Sequence, residues 1–152
     1  MKAIAGKGRP KVYRVEDSQL SVYDFVPPFS GSLDRTNRWV RLAESLDWPA
    51  LEKAYAGNFA AGGKEALPVR LAFGSLVIRK ALDLSDQQTM LLIRESPYLQ
   101  YFIGLTEFQN RLPFAVRSLR TFRQRIPAEA VNRAVRLLAQ IEREDREEGQ
   151  GE

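Results

Sequence analysis

Arg111, Arg117, Arg120, Arg123 and Arg125 fall within fifteen residues that hold no acid. If Leu119, Phe122 and Ile126 face a core, Arg120, Arg123 and Gln124 share the outward side of one helix at i, i+3 and i+4. Guanidinium and amide groups suit the edges of guanine and adenine. Ser118 and Thr121, near the start of the same helix, suit phosphate oxygens. An apolar seam backed by such a face is what a major-groove recognition helix requires, with Arg117 and Arg125 flanking it. The competing explanation is a solvated basic face. Base readout by Arg120 or Arg123 implies a loss of about 1–3 kcal/mol on replacement by alanine.

Other chemistries are harder to build. The chain of 152 residues has no His and no Cys, so it has no imidazole proton shuttle, thiolate nucleophile or Cys-ligated metal. Its acids are scattered: Asp34 and Asp47 flank one helical stretch, Asp86 sits in a capping position, and Glu142 to Glu148 lie on a polar terminus. A two-metal nuclease needs carboxylates converging on a rigid scaffold. The Gly57–Gly63 region lacks the Lys-Ser/Thr ending of a phosphate loop, and Ser118 has no base to activate it. No catalytic residue, cofactor or metal site is expected, and the isolated chain is not read as an enzyme.

The elements that must position the arginines are helices. Ser32 is expected to cap a helix running to about Leu46, and Trp48-Pro49 restarts a short one carrying Leu51 and Tyr55 inward. Gly57 to Ala66 reads as a loop. Val69 to Leu82 is apolar nearly all round, which marks a central buried helix, and Gly74 within it implies close packing. Ser85-Asp86-Gln87-Gln88 is a capping box whose helix, to about Glu95, is expected to bury Met90, Leu91 and Ile93. Ser96-Pro97 restarts a helix closed by Gly104 in the left-handed conformation. After Pro113 come the Arg-rich helix and a last one from Pro127, with Val131, Ala134, Val135, Leu138 and Ile141 inward. Glu129–Arg133 and Glu142–Arg146 have the spacing of i,i+4 ion pairs. Ser21 to Val26 reads as a short extended stretch ended by Pro27-Pro28. The expectation is an all-α, compact domain of about seven helices over residues 15–141. A disordered basic arm (1–14) precedes it and a fraying acidic tail (142–152) follows.

The net charge of +4 is segregated. Residues 1–14 carry five bases and no acid, among them Lys2, Lys7, Arg9 and Lys11. Residues 15–68 have five bases against eight acids, 69–136 eleven against five, and 137–152 two against six. Two basic blocks of this kind point to a polyanionic partner, with the arm contacting phosphates or the minor groove. Arg35, Arg38 and Arg41 look like unpaired surface support. The Ser85–Gly104 stretch has helix–turn–helix spacing, and its second helix is aromatic and uncharged. Tyr98, Tyr101 and Phe102 are therefore candidates for the core, for a protein interface, or for stacking on bases. The N-terminus lacks the apolar core of a secretory signal, and the apolar run Met90–Ile93 is too short to span a membrane, so a cytoplasmic protein is expected.

The run PVRLAFGSLVIRKALDLSDQQTMLLIRESPYLQYFIGL, followed by PFAVRSLRTFRQRI, resembles the InsH-type N-terminal domain of bacterial insertion-sequence transposases of the DDE class. NRWVRLAESLDW and LEKAY are similar to the opening of that domain, and the resemblance covers roughly residues 18–140. Its strongest motifs are Leu84-Ser85-Asp86, Pro97-Tyr98-Leu99-Gln100-Tyr101-Phe102-Ile103-Gly104 and Phe122-Arg123-Gln124-Arg125. Asp83 stands where such domains usually have Gly, and Ala115 where an acid commonly follows Pro-Phe. The resemblance implies a helical domain that binds double-stranded DNA at the element's terminal inverted repeats, in a bacterial, nucleoid-associated setting. It implies that this domain precedes an RNase H-like domain whose Asp-Asp-Glu triad binds divalent metal. None of the acids here matches that triad, and Glu152 falls about where the first catalytic strand should begin. Self-association, docking to a catalytic transposase subunit, or an inactive remnant are the alternatives.

Overall fold

The computed structural model describes residues 19–28, 31–59 and 67–150. Within them lie seven α-helices: α1 (Arg38–Ser45), α2 (Trp48–Tyr55), α3 (Val69–Ala81), α4 (Asp86–Glu95), α5 (Pro97–Phe102), α6 (Ser118–Arg125) and α7 (Ala128–Gln150). The described residues form no strand. The only extended pairing among them is an isolated bridge between Val26 and Glu107. The expected all-α architecture holds. Among the described residues no helix is long and apolar enough to cross a membrane. The basic arm with Lys2, Lys7, Arg9 and Lys11 lies outside the described residues.

The centre is α3. Ten successive residues, Val69 to Ile78, are buried, because α2, α4, α6 and α7 all pack around it. Gly74 permits a close approach by the end of α5. A Cβ there would sit 3.1 Å from Ile103 Cγ2 and 3.3 Å from Ile103 Cα, so the close packing expected of this glycine is present. Aromatic rings fill the space on one side: Trp48 meets Phe73 and Phe102 edge-on at 6.0 and 5.6 Å, and Trp39 meets Phe102 at 5.2 Å.

Two buried polar groups of the core are matched by long-range partners. Arg70, 1% exposed, lies 4.5 Å over the Trp48 ring. It donates Nε to the Phe102 carbonyl at 2.9 Å and Nη2 to that of Tyr101 at 3.0 Å. A cation thus meets the carbonyl end of α5, where the helix dipole favours it. Glu52 of α2 accepts from the Val69 amide at 3.2 Å, supplying the start of α3 with the acceptor that Pro68 cannot offer. Burial raises the Glu52 carboxyl above its ordinary range, and the Val69 hydrogen bond only partly opposes this.

Local punctuation accounts for several helix ends. Both hydrogen bonds of the Ser85/Gln88 capping box are present. Ser96 accepts from the Leu99 amide to open α5. Gly104, at φ 94°, closes it with the paired bonds Leu105 N–H to Gln100 O and Gly104 N–H to Tyr101 O, a Schellman end.

The first helix departs from expectation. It starts at Arg38, capped by Asn37, whose side chain accepts from the Trp39 and Val40 amides. Ser32 does not cap it, since Asp34 instead folds the preceding residues into a turn by accepting from Thr36 N–H and Oγ1. In α2 the buried residues are Trp48 and Glu52, with Leu51 and Tyr55 only half-buried. Ser21–Val26 is not an extended stretch: Ser21 caps a 3-10 turn over Val22–Asp24, and only Val26 pairs. In α4, Thr89 and Ile93 are the buried residues, while Leu91 is 51% exposed. The inward stripe of α4 is rotated from the one expected, because Thr89 satisfies its hydroxyl on the Ser85 carbonyl at 2.8 Å and can face inward.

At the other end α7 continues in helix to Gln150, although its apolar periodicity stops at Ile141. Its acids meet α1: Glu142 pairs with Arg38, and Arg41 pairs with Asp145 and, at 3.2 Å, with Glu144. Arg35 pairs with Glu44 at 4.0 Å, so none of Arg35, Arg38 and Arg41 is the unpaired base expected, and Glu142 turns to Arg38 instead of Arg146. The Glu129–Arg133 pair forms at 3.4 Å.

Candidate nucleic-acid interface

The Arg-rich helix presents its seam inward as expected: Leu119, Phe122 and Ile126 are buried, with Phe122 packed against Phe114 and Phe59. Arg117, Arg120, Arg123 and Gln124 are exposed, and Ser118, Thr121 and Arg125 half-buried. Tertiary packing then divides them. Arg117, Ser118, Arg120 and Thr121 line an open groove of about 780 Å³, whose other wall is Ser85, Asp86 and Gln87 at the start of α4. Arg125 turns away, its guanidinium 5.6 Å from the Phe59 ring and its carbonyl accepting from Asn58 Nδ2 at 2.8 Å. Gln124 is exposed but does not line the groove.

Arg123 is engaged. Its two terminal nitrogens donate to the two oxygens of Asp86 at 2.7 and 3.2 Å. Arg79 Nε donates to the same carboxylate at 2.6 Å. One acid of α4 thereby joins α3 and α6. The hydrogen bond from Arg123 is the largest influence holding the Asp86 carboxyl below its ordinary range. Desolvation opposes it, and Arg79 adds to the lowering. Asp86 is a capping-region acid, as expected, and also ties the start of α4 to α3 and α6.

A second groove of about 580 Å³ adjoins the first and shares Gln87 and Val116 with it. Arg94, Asn110 and Arg111 stand on its rim, and Leu91, Leu112 and Phe114 are among its apolar lining. The loop carrying Asn110 and Arg111 is held by Gln100, which is completely buried. Gln100 Nε2 donates to the carbonyls of Ile93 at 3.1 Å and Gln109 at 2.9 Å, and its Oε1 accepts from Gln109 N–H at 2.8 Å.

Arg94, Arg111, Arg117 and Arg120 make no ion pair among the described residues, whereas Arg38, Arg41, Arg79 and Arg123 all do. Uncompensated guanidinium groups along two adjoining open grooves make a surface suited to an extended polyanion. Arg94 was missed by sequence reasoning. Gln87, Leu91 and Arg94 share a face of α4 at i, i+4 and i+7, a signal hidden by assigning Leu91 to the core.

The aromatic residues of α5 face inward. Phe102 is fully buried and Tyr101 1% exposed. The Tyr101 ring meets Phe25 edge-on at 6.1 Å, and its hydroxyl donates to the Leu20 carbonyl at 3.3 Å. Burial raises the Tyr101 phenol above its ordinary range. Tyr98 is half-buried and its hydroxyl accepts from the Asp34 amide at 2.8 Å. Of the roles open to these rings, base stacking or a partner interface would require Tyr101 and Phe102 to leave the core. Among the described residues no group of three or more acids is placed to hold a metal ion.

A family model described as a transposase domain (DUF772) matches residues 28–125. A curated relative, an uncharacterised protein designated ORF8 in the nfe locus of Rhizobium meliloti, is 32% identical over 87 residues. The aligned part covers 57% of this chain and 42% of that relative, so the chain spans less than half the relative's length. No solved structure matches.

Proposed function

As this chain belongs to the DUF772 transposase-domain family, we propose that it is the DNA-binding N-terminal domain of an insertion-sequence transposase, acting on the terminal inverted repeats of its element. The observation that carries this reading is the placing of Arg94, Arg111, Arg117 and Arg120, none of them ion-paired among the described residues, along two adjoining grooves that α4 forms with α6 and with the 110–116 loop. In this reading Arg120 and Arg117 meet the duplex at the α6 wall, Ser118 and Thr121 hydrogen-bond phosphate oxygens, and Gln124 extends the exposed face of the helix. Arg123 acts at one remove, by fixing α6 through Asp86. Lys2, Lys7, Arg9 and Lys11 add electrostatic attraction from the arm. The domain itself performs no bond cleavage. That chemistry belongs to an RNase H-like domain whose acids are not among those of α4 or α7.

Fluorescence anisotropy over a salt titration, with duplexes carrying the element's ends and a scrambled control, tests this. Four to eight neutralised phosphates correspond to a slope of log K against log salt of about −4 to −7. Tighter binding to the element's ends than to the control is expected. Absent or salt-independent binding refutes the proposal.

A further inference from the structure

The described residues expose four large apolar side chains, and two of them, Leu91 (51%) and Val116 (37%), line the same groove. Each has a local reason to stand out. Leu91 lies on the side of α4 opposite the inward Thr89–Ile93 stripe, and Val116 precedes the first turn of α6, where the chain leaves the buried Phe114. Their surroundings are polar and cationic: Arg94 and Arg111 on the rim of their own groove, and Arg117 and Arg120 in the groove that shares Val116. An isolated apolar side chain on a surface needs no explanation. Two together, between guanidinium groups that lack ion-pair partners, have a defined use on a polyanion. Arginines lining the two adjoining grooves can hold phosphate oxygens while exposed aliphatic side chains press into a base step that opens to meet them.

We propose that Leu91 and Val116 form an apolar wedge that inserts at a base step of the bound duplex and unstacks it. The preferred substrate of this face is then duplex DNA containing an easily opened step, recognised through its deformability and not through base edges alone. The inference rests on the DNA-binding reading above. It adds a physical criterion for the target, because the cost of unstacking a step in an intact duplex is largely removed where the step is already weakened.

The test uses the full chain and a mixed-sequence duplex of about 30 base pairs, in one form fully paired and in another carrying a central two-base mismatch. Affinity is read by anisotropy and bending by energy transfer between dyes at the two ends. The mismatched duplex is expected to bind at least about tenfold more tightly, and the transfer efficiency to rise on binding. Leu91→Ala combined with Val116→Ala should reduce the preference to less than about twofold and abolish the bend. The salt slope on the paired duplex should persist, since the arginines remain. Both side chains are exposed, so the variant should melt with the wild type, and Leu91→Ser alone provides a second variant with the same expected direction. Equal affinity of the wild type for the two duplexes overturns the wedge and leaves the DNA-binding reading standing. Retention of the preference in the double variant also overturns it. Failure to bind any duplex refutes the DNA-binding reading, and the wedge with it.

Discussion

Arg123 and Arg120 sit three residues apart on the exposed side of α6, yet the structure gives them different work, and alanine at each position separates the two roles. Arg123→Ala removes a bidentate contact to Asp86, at 2.7 and 3.2 Å, and leaves that carboxylate with Arg79 alone. The side chains are 38% and 27% exposed, so solvent screens the pair and the loss belongs near the top of the range for surface ion pairs, about 1 kcal/mol. For a chain of this length that lowers the thermal midpoint by about 2–4 °C. Arg120 has no ion-pair partner among the described residues, so Arg120→Ala should leave stability within about 0.5 kcal/mol of wild type. It should weaken DNA binding by about 1–3 kcal/mol if the side chain reaches a base, or reduce the salt slope by about 1 if it meets a phosphate. The pH dependence gives a second check. The Asp86 carboxyl is held below its ordinary 3.8 in the folded state. Its stabilising contribution is therefore fully present above that value and is lost as pH falls through the lowered folded value. The stability difference between wild type and Arg123→Ala should accordingly shrink on acidification below about 4. Calorimetry or a thermal melt, paired with anisotropy on the same samples, reads all of this. If Arg123→Ala melts with the wild type and loses DNA affinity to the same extent as Arg120→Ala, the assignment of Arg123 to the Asp86 bridge is wrong.

Two further perturbations address the scaffold under the grooves. Gln100→Ala leaves the Gln109 amide and the carbonyls of Ile93 and Gln109 without their side-chain partner in a buried setting, a loss of about 2–4 kcal/mol in denaturant unfolding. Hydrogen exchange should show the loop around Asn110 and Arg111 opening first, and a stability change under about 0.5 kcal/mol would contradict this role. Glu52→Gln keeps an acceptor for the Val69 amide without a buried charge. The Glu52 carboxyl is raised above 4.5 in the folded state, so its contribution to stability is greatest below that value and declines as pH rises through the raised one. The variant should therefore gain on the wild type between acid and neutral pH, and equal stability of the two at every pH would refute the assigned environment.

Much of the fold was legible in one dimension because its determinants are local. The Ser85 capping box, the Ser96-Pro97 restart, the left-handed Gly104 and the apolar seam Leu119–Phe122–Ile126 each involve residues within a few positions of one another, and all are present. The unbroken apolar run of α3 marked the centre for the same reason. Failures cluster where a neighbour in space competes with a neighbour in sequence. Ser32 lost the first helix to Asn37 once Asp34 had formed its own turn, and Glu142 abandoned its i,i+4 partner for Arg38, 104 positions away.

By itself the amino-acid sequence determined an all-helical fold with its excess positive charge in residues 1–14 and 69–136 and with no imidazole or thiol to catalyse with. It also determined the family, since the order and spacing of the motifs carry it. Only the tertiary structure decided which arginines are without ion-pair partners. A guanidinium loses its availability to a ligand when a carboxylate from another element meets it, as Asp86 does for Arg123 across 37 positions. Nothing in the periodicity of either helix encodes that distance. Tertiary packing also put Arg94 and Arg111 on a groove adjoining that of Arg117 and Arg120, and left Leu91, expected in the core, exposed. Helix periodicity identifies which residues share a face. Which face meets solvent, and which charges remain unneutralised on it, follows from how α3, α4 and α6 pack together.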